Sequence, residues 1–133
     1  MFGDKINNIL KTKTILFVDD EKQIADMFCN LFRLGMNIKS YCAYDGQEGL
    51  ELFKKYNYDL IVTDIQMPRL NGYEMIKEIL KINQDIKVIF ISGYKEEFFN
   101  EEFKEFKNCI EYIDKPIAIE KLQNALERLY LCD

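Results

Sequence analysis

Five short apolar runs, each followed by a stretch with helical spacing, constrain this chain more than any other feature. The runs are Thr14–Val18 (TILFV) and residues 37–43, 60–63 (LIVT), 88–91 (VIFI) and 109–113. Several are rich in β-branched residues and all are too short for buried helices, so they read as strands. After the first run, Ile24, Met27, Phe28, Leu31 and Phe32 recur at helical spacing and stop near Gly35. Leu50 and Phe53 mark a second helix, and Met75, Ile76, Ile79 and Leu80 a third over residues 71–81. Phe99, Phe103 and Phe106 mark a fourth over 96–106, and Leu122, Leu126 and Leu129 a fifth from Ile119. Strands alternating with helices through short connections predict an α/β fold: a doubly wound, five-stranded parallel sheet with helices on both faces.

Local signals punctuate this pattern. The second run is the most polar and belongs near a sheet edge. Asp45-Gly46-Gln47-Glu48 reads as a capping box, with Asp45 accepting from the backbone and Glu48 reaching back. Pro68 stops the third strand, and Asn71-Gly72 turns the chain into the next helix. Residues 1–13 are polar with a thin apolar spacing at Ile6, Ile9 and Leu10. They read as a tail or linker remnant in preference to a turn or two of helix. Residues 14–131 then form the domain, within the size of a single core.

Composition narrows the class. With 48% hydrophobic and 31% charged residues, the 133-residue chain suits a soluble globular protein. No stretch approaches the roughly 18 apolar residues of a membrane span, and the N-terminus lacks a signal-peptide core. The net charge of −5 and the absence of a basic stripe argue against direct nucleic-acid binding. Cys29, Cys42, Cys109 and Cys132 form no CxxC pair, which fits a reducing, cytoplasmic setting. The chain has no histidine, which excludes a histidine-based triad, a histidine-ligated zinc and a phosphohistidine donor.

The run ends carry the chemistry. Asp19 and Asp20 follow the first run, Asp64 the third, Ser92 the fourth, and Lys115 comes shortly after the fifth. In a parallel sheet these ends share one edge, where open α/β folds keep their ligands. Two unit charges about 4 Å apart repel by roughly 4 kcal/mol even at an effective dielectric near 20. A hard divalent cation relieves such repulsion, and an all-oxygen set suits Mg²⁺. The cation also favours an incoming phosphoryl group, with Lys115 a second positive charge and Ser92 a hydroxyl donor.

The motifs VDDE at 18–21, TDIQMPRLNG at 63–72, FISGY at 90–94 and YIDKP at 112–116 resemble the receiver domain of two-component response regulators, the CheY-like family. The resemblance covers residues 13–131 and implies a flavodoxin-like sheet of order 2-1-3-4-5. It implies that Asp64 is the phosphoacceptor. Asp20 would bind Mg²⁺ directly, Asp19 mainly through a metal-bound water, and the Gln66 backbone carbonyl would add a further ligand. Lys115 would pair with the phosphoryl group, and Ser92 and Tyr112 would form the switch. The bond between Lys115 and Pro116 would be cis. Partners would be a sensor histidine kinase or histidine phosphotransfer protein. A downstream protein or output domain would be met through the face of the fourth helix (96–106), the fifth strand and the fifth helix, bordered by Tyr94, Phe98 and Glu111. Gly93 departs from the more usual alanine. Gln66 and Tyr94 stand where the family tunes the lifetime of the phosphoryl group.

Two other classes compete with this reading. A Mg²⁺-dependent phosphohydrolase with an aspartate nucleophile uses a D-x-D motif, whereas Asp64-Ile65-Gln66 has no second acid. The chain also lacks room for a substrate-covering cap. A non-phosphorylated interaction module would not need the acidic, hydroxyl and lysine set. The chain ends one helix after Lys115, which leaves a single-domain regulator and a receiver from a larger protein both open.

Overall fold

A computed structural model of the chain describes residues 2–94 and 101–131. A short helix, α1 (Asp4–Leu10), precedes strand β1 (Thr14–Val18). Then follow α2 (Lys22–Asn30), β2 (Lys39–Ala43), α3 (Gly46–Lys55), β3 (Leu60–Asp64), α4 (Gly72–Ile82) and β4 (Lys87–Ser92). A 3-10 helical segment (Glu101–Cys109), β5 (Ile110–Asp114) and α5 (Ile119–Tyr130) complete the order. The five strands are parallel and ordered β2-β1-β3-β4-β5, as the resemblance implied.

Alternation along the central strands divides the core in two. Ile15, Phe17, Leu60, Val62, Ile89 and Ile91 face the layer of α1, α2 and α5. Leu16, Val18, Ile61, Val88 and Phe90 face that of α3, α4 and Phe103. Every residue of β3 is buried, which is why Leu60, Ile61 and Val62 follow one another without a polar residue between them. β2 lies at an edge, in keeping with its more polar sequence.

The N-terminal segment corrects the reading of residues 1–13 as a tail. Ile6 and Leu10 of α1 are buried, and Phe2 meets Phe32 edge-on with ring centroids 5.7 Å apart. The apolar face of the α2 and α5 layer extends past the strands, and α1 covers it.

Helix α2 turns its stripe differently from expectation. Ala25, Phe28, Cys29 and Phe32 face inward, whereas Met27 is 52% exposed. The helix ends in a π-helical turn (Leu31–Gly35), and Asn37, not Gly35, takes the left-handed conformation (φ 55°). Asp45 caps α3 by accepting from the Glu48 N–H at 2.8 Å, but Glu48 reaches back to the Tyr44 N–H at 3.1 Å. The full capping box stands at α4, between Asn71 and Glu74. Of the helix expected over 96–106, the described part is a 3-10 helical segment that kinks at Phe106 (φ −107°, ψ 17°). Phe98 and Phe99 lie outside the described residues.

Candidate functional site

Parallel pairing assembles the run ends. Val18 lies opposite Thr63, so Asp19 and Asp20 leave β1 beside Asp64, the last residue of β3. Asp64 lies opposite Ile91, which puts Ser92 one step further along β4. Ser92 in turn lies opposite Asp114, and the Lys115 N–H donates to the Ser92 carbonyl at 2.8 Å. Strand order reverses at β1, and the crevice at such a point is where open sheets bind ligands. Gly72 helps shape this edge. A Cβ there would collide with the Asp64 carbonyl oxygen, so only glycine lets α4 start so close to β3.

Asp19, Asp20 and Asp64 each offer a carboxylate oxygen, and all three oxygens lie within 4.8 Å of one another. Asp19 and Asp64 are buried and Asp20 is exposed. Asp64 Oδ2 accepts from Lys115 Nζ at 2.8 Å and Oδ1 from the Gln66 N–H at 3.3 Å. Asp19 Oδ1 accepts from the Glu21 N–H at 2.9 Å. Burial pushes the Asp19 carboxyl up to about 6, against the Glu21 hydrogen bond and with help from the Asp64 charge. Burial also raises Asp64, outweighing the bond and charge of Lys115. For Lys115, burial pulls downward but Asp64, Asp19 and Glu21 prevail and raise it.

Two buried carboxylates and a third at the rim, with one ammonium between them, hold more negative charge than the site balances. A hard divalent cation fits this all-oxygen donor set, and Mg²⁺ is the one such sites suit. Asp19, Asp20 and Asp64 would hold it. Gln66 stands two residues past Asp64, with its N–H turned to the carboxylate.

Ser92 is buried, and its hydroxyl accepts from the Tyr94 N–H at 3.0 Å. Tyr112 is half-buried and stacks on Phe90, ring centroids 5.6 Å apart and planes at 26°. Glu111 pairs with Arg128 of α5 at 2.5 Å, and Tyr94 is 59% exposed. The bond between Lys115 and Pro116 is cis. One feature escaped the sequence reading. A groove of about 470 Å³ opens beside the carboxylates, lined by Ile24, Met27, Pro116 and Ile117, with Asp19 and Lys115 at its border. Its signal was Met27, which helical spacing alone placed inward.

Comparison with known proteins agrees with this fold. Residues 15–127 match the sequence family described as the response regulator receiver domain. The regulatory protein AtoC of Escherichia coli is 30% identical over 116 residues, which is 86% of this chain and 24% of AtoC. Sporulation initiation phosphotransferase F of Bacillus subtilis is 26% identical over 119 residues, 90% of this chain and 94% of that protein. Several curated relatives are longer: the chain spans 24% of AtoC, 45% of a transcriptional regulator ycf27 of Cyanidium caldarium and 13% of the sensor kinase CckA of Brucella abortus. Among solved structures, the chemotaxis protein CheY4 of Vibrio cholerae superposes with a TM-score of 0.74 at 25% identity, over 88% of this chain and 98% of that one. A receiver domain protein from Clostridium thermocellum superposes at 0.72 with 27% identity, over 88% and 94%.

The chain belongs to the receiver domain family of two-component response regulators. Its five-stranded sheet is the CheY-like, flavodoxin-like fold, and the phosphohydrolase alternative is not favoured. Among the described residues, no helix is long and apolar enough to cross a membrane.

Proposed function

We propose that Asp64 accepts a phosphoryl group from a partner's phosphohistidine and that the resulting aspartyl phosphate changes the surface the domain presents. One observation carries this reading. Asp64 is a buried carboxylate held 2.8 Å from Lys115 Nζ, with Asp19 and Asp20 oxygens within 4.8 Å. An Asp64 oxygen attacks phosphorus, a new O–P bond forms as the N–P bond breaks, and the imidazole leaves with the bonding electron pair. Asp19, Asp20, Asp64 and the Gln66 carbonyl would hold Mg²⁺, which when bound would neutralise charge on the phosphoryl oxygens. Lys115 pairs with those oxygens, and Ser92 donates its hydroxyl to them. Water then attacks phosphorus and the Asp64 carboxylate leaves, which resets the domain, so the domain's own chemistry is limited to phosphorylating and dephosphorylating Asp64.

The apolar groove beside Lys115 is the place for the phosphodonor. It is continuous with the acidic pocket, and exposed Met27 gives it an adaptable apolar rim. A sensor histidine kinase or histidine phosphotransfer protein that rests there would bring its phosphohistidine to Asp64. The output face runs from Tyr112 and Glu111 on β5 to Arg128 on α5, and it meets a protein target in the cytoplasm. The net charge of −5 disfavours direct contact with nucleic acid.

Acetyl phosphate and Mg²⁺ test the assignment. The protein should gain one acid-stable, base-labile acyl phosphate by mass spectrometry, and Asp64→Asn should lose it because an amide is a far poorer nucleophile. Unchanged labelling of Asp64→Asn would reject Asp64 as the acceptor.

A further inference from the structure

The loop between β3 and α4 is pinned at both ends. The Ile65 N–H donates to the Ile91 carbonyl at 2.9 Å, and the Gly72 N–H returns to the Ile65 carbonyl at 2.8 Å. Between them the chain makes a three-residue turn, closed by the Leu70 N–H on the Pro68 carbonyl at 2.9 Å. Arg69 at its centre has φ 68°, a left-handed backbone that L side chains adopt only with strain. Glycine is the usual residue for such a position, and none stands here.

What holds Arg69 there comes from another element. Its guanidinium Nη2 pairs with Asp45 Oδ2, while Asp45 Oδ1 accepts from the Glu48 N–H at 2.8 Å. One carboxylate, only 15% exposed, therefore caps α3 and grips the loop at once. Gly46, the next residue, completes the seat: a Cβ there would collide with the Leu70 carbonyl oxygen. The loop held in this way also carries Gln66, whose N–H reaches Asp64 Oδ1 at a long 3.3 Å. A contact so extended is sensitive to where the loop sits.

We infer that the Asp45–Arg69 pair is a strap, and that Arg69 is a positioning residue which holds the Gln66 segment against the carboxylate pocket. The inference rests on the reading above that the pocket takes Mg²⁺. Strain at Arg69 is kept because a loop released from Asp45 would move the Gln66 carbonyl and N–H relative to Asp64. A purely structural ion pair would behave differently, since its loss would lower stability and leave cation affinity to follow stability.

Two substitutions separate the cases. Arg69→Gly frees the backbone strain and cuts the strap. Asp45→Asn keeps a side-chain oxygen for the Glu48 N–H but loses the charge. Mg²⁺ affinity, followed through amide shifts of Asp20 and Gln66, should fall by about tenfold in each, the low end for groups that orient ligands from outside. The melting temperature of Arg69→Gly should hold or rise. The double variant should be no weaker than either single one, and Arg69→Lys should recover most of the affinity. Wild-type affinity in Arg69→Gly and Asp45→Asn would overturn the strap alone, as would losses that track the melting temperature. A wild-type protein that binds no Mg²⁺ would overturn the strap and the metal reading together.

Discussion

Lys115 Nζ lies 2.8 Å from Asp64 Oδ2, although 51 residues separate the two in sequence. The ammonium side chain is 35% exposed and the carboxylate 4%. The pair therefore stands at the mouth of the pocket, with its negative end inside and its positive end at the rim. Each partner favours the other's charged form, and for Asp64 that support is insufficient to overcome burial.

Removing the ammonium should expose this imbalance. Lys115→Ala leaves Asp64 buried with less positive charge nearby, so its carboxyl rises further. The variant should lose stability relative to wild type as pH increases and match it in acid, where Asp64 is neutral. Carbon-detected titration of the carboxyl and urea melts at acidic and alkaline pH measure both effects. A pH-independent difference would contradict this account.

Asp19 should make the cation-free protein less stable as pH rises. Its carboxyl titrates near 3.8 when unfolded and about 6 when folded, so between those values the folded state binds more protons. Stability therefore falls with increasing pH across that window and stays reduced above it. Asp19→Asn should raise the melting temperature at neutral pH and flatten the profile. Added Mg²⁺ should stabilise wild type more above pH 6 than below it, because the cation needs the ionised ligands.

Ser92 should separate phosphorylation from response. Its hydroxyl now accepts from the Tyr94 N–H, and a phosphoryl group on Asp64 offers it new acceptors. A ligand shifts an equilibrium only by its differential contacts. Ser92→Ala should still be phosphorylated yet bind a partner less differently in its two states. Amide shifts with beryllofluoride should spread from the Asp64 loop to Tyr94 and Tyr112 in wild type and retract in the variant. Shifts confined to the Asp64 loop in wild type would dismiss the proposed output face.

Helix α1 should contribute to stability and not to the chemistry. Leu10 is fully buried, and a buried leucine cut to alanine costs about 2–5 kcal/mol. Leu10→Ala should lower the urea midpoint by a corresponding amount while acetyl phosphate labelling of Asp64 continues at the same rate in native conditions. Loss of labelling in the still-folded variant would tie α1 to the site.

The sequence by itself determined the strands, the alternation and the polar residues at four of the five strand ends. These follow from local pattern: Leu60, Ile61 and Val62 are all apolar because both faces of β3 are covered. The order β2-β1-β3-β4-β5 came from likeness to a family, since periodicity does not say which strands are neighbours.

Tertiary structure decided what local pattern cannot express. Spacing put Met27 on the inward stripe, but the sheet accepts only the width of α2 that carries Ala25, Phe28, Cys29 and Phe32, and Met27 falls outside it. Residues 1–13 are too thinly apolar to fold alone, yet α1 forms because the α2 and α5 layer leaves an apolar surface that Ile6 and Leu10 cover. Arg69 carries no sequence signal for a left-handed backbone; Asp45, 24 residues earlier, supplies the charge that holds it. Such contacts depend on which surfaces remain open after the elements pack, and that is a property of the assembled fold.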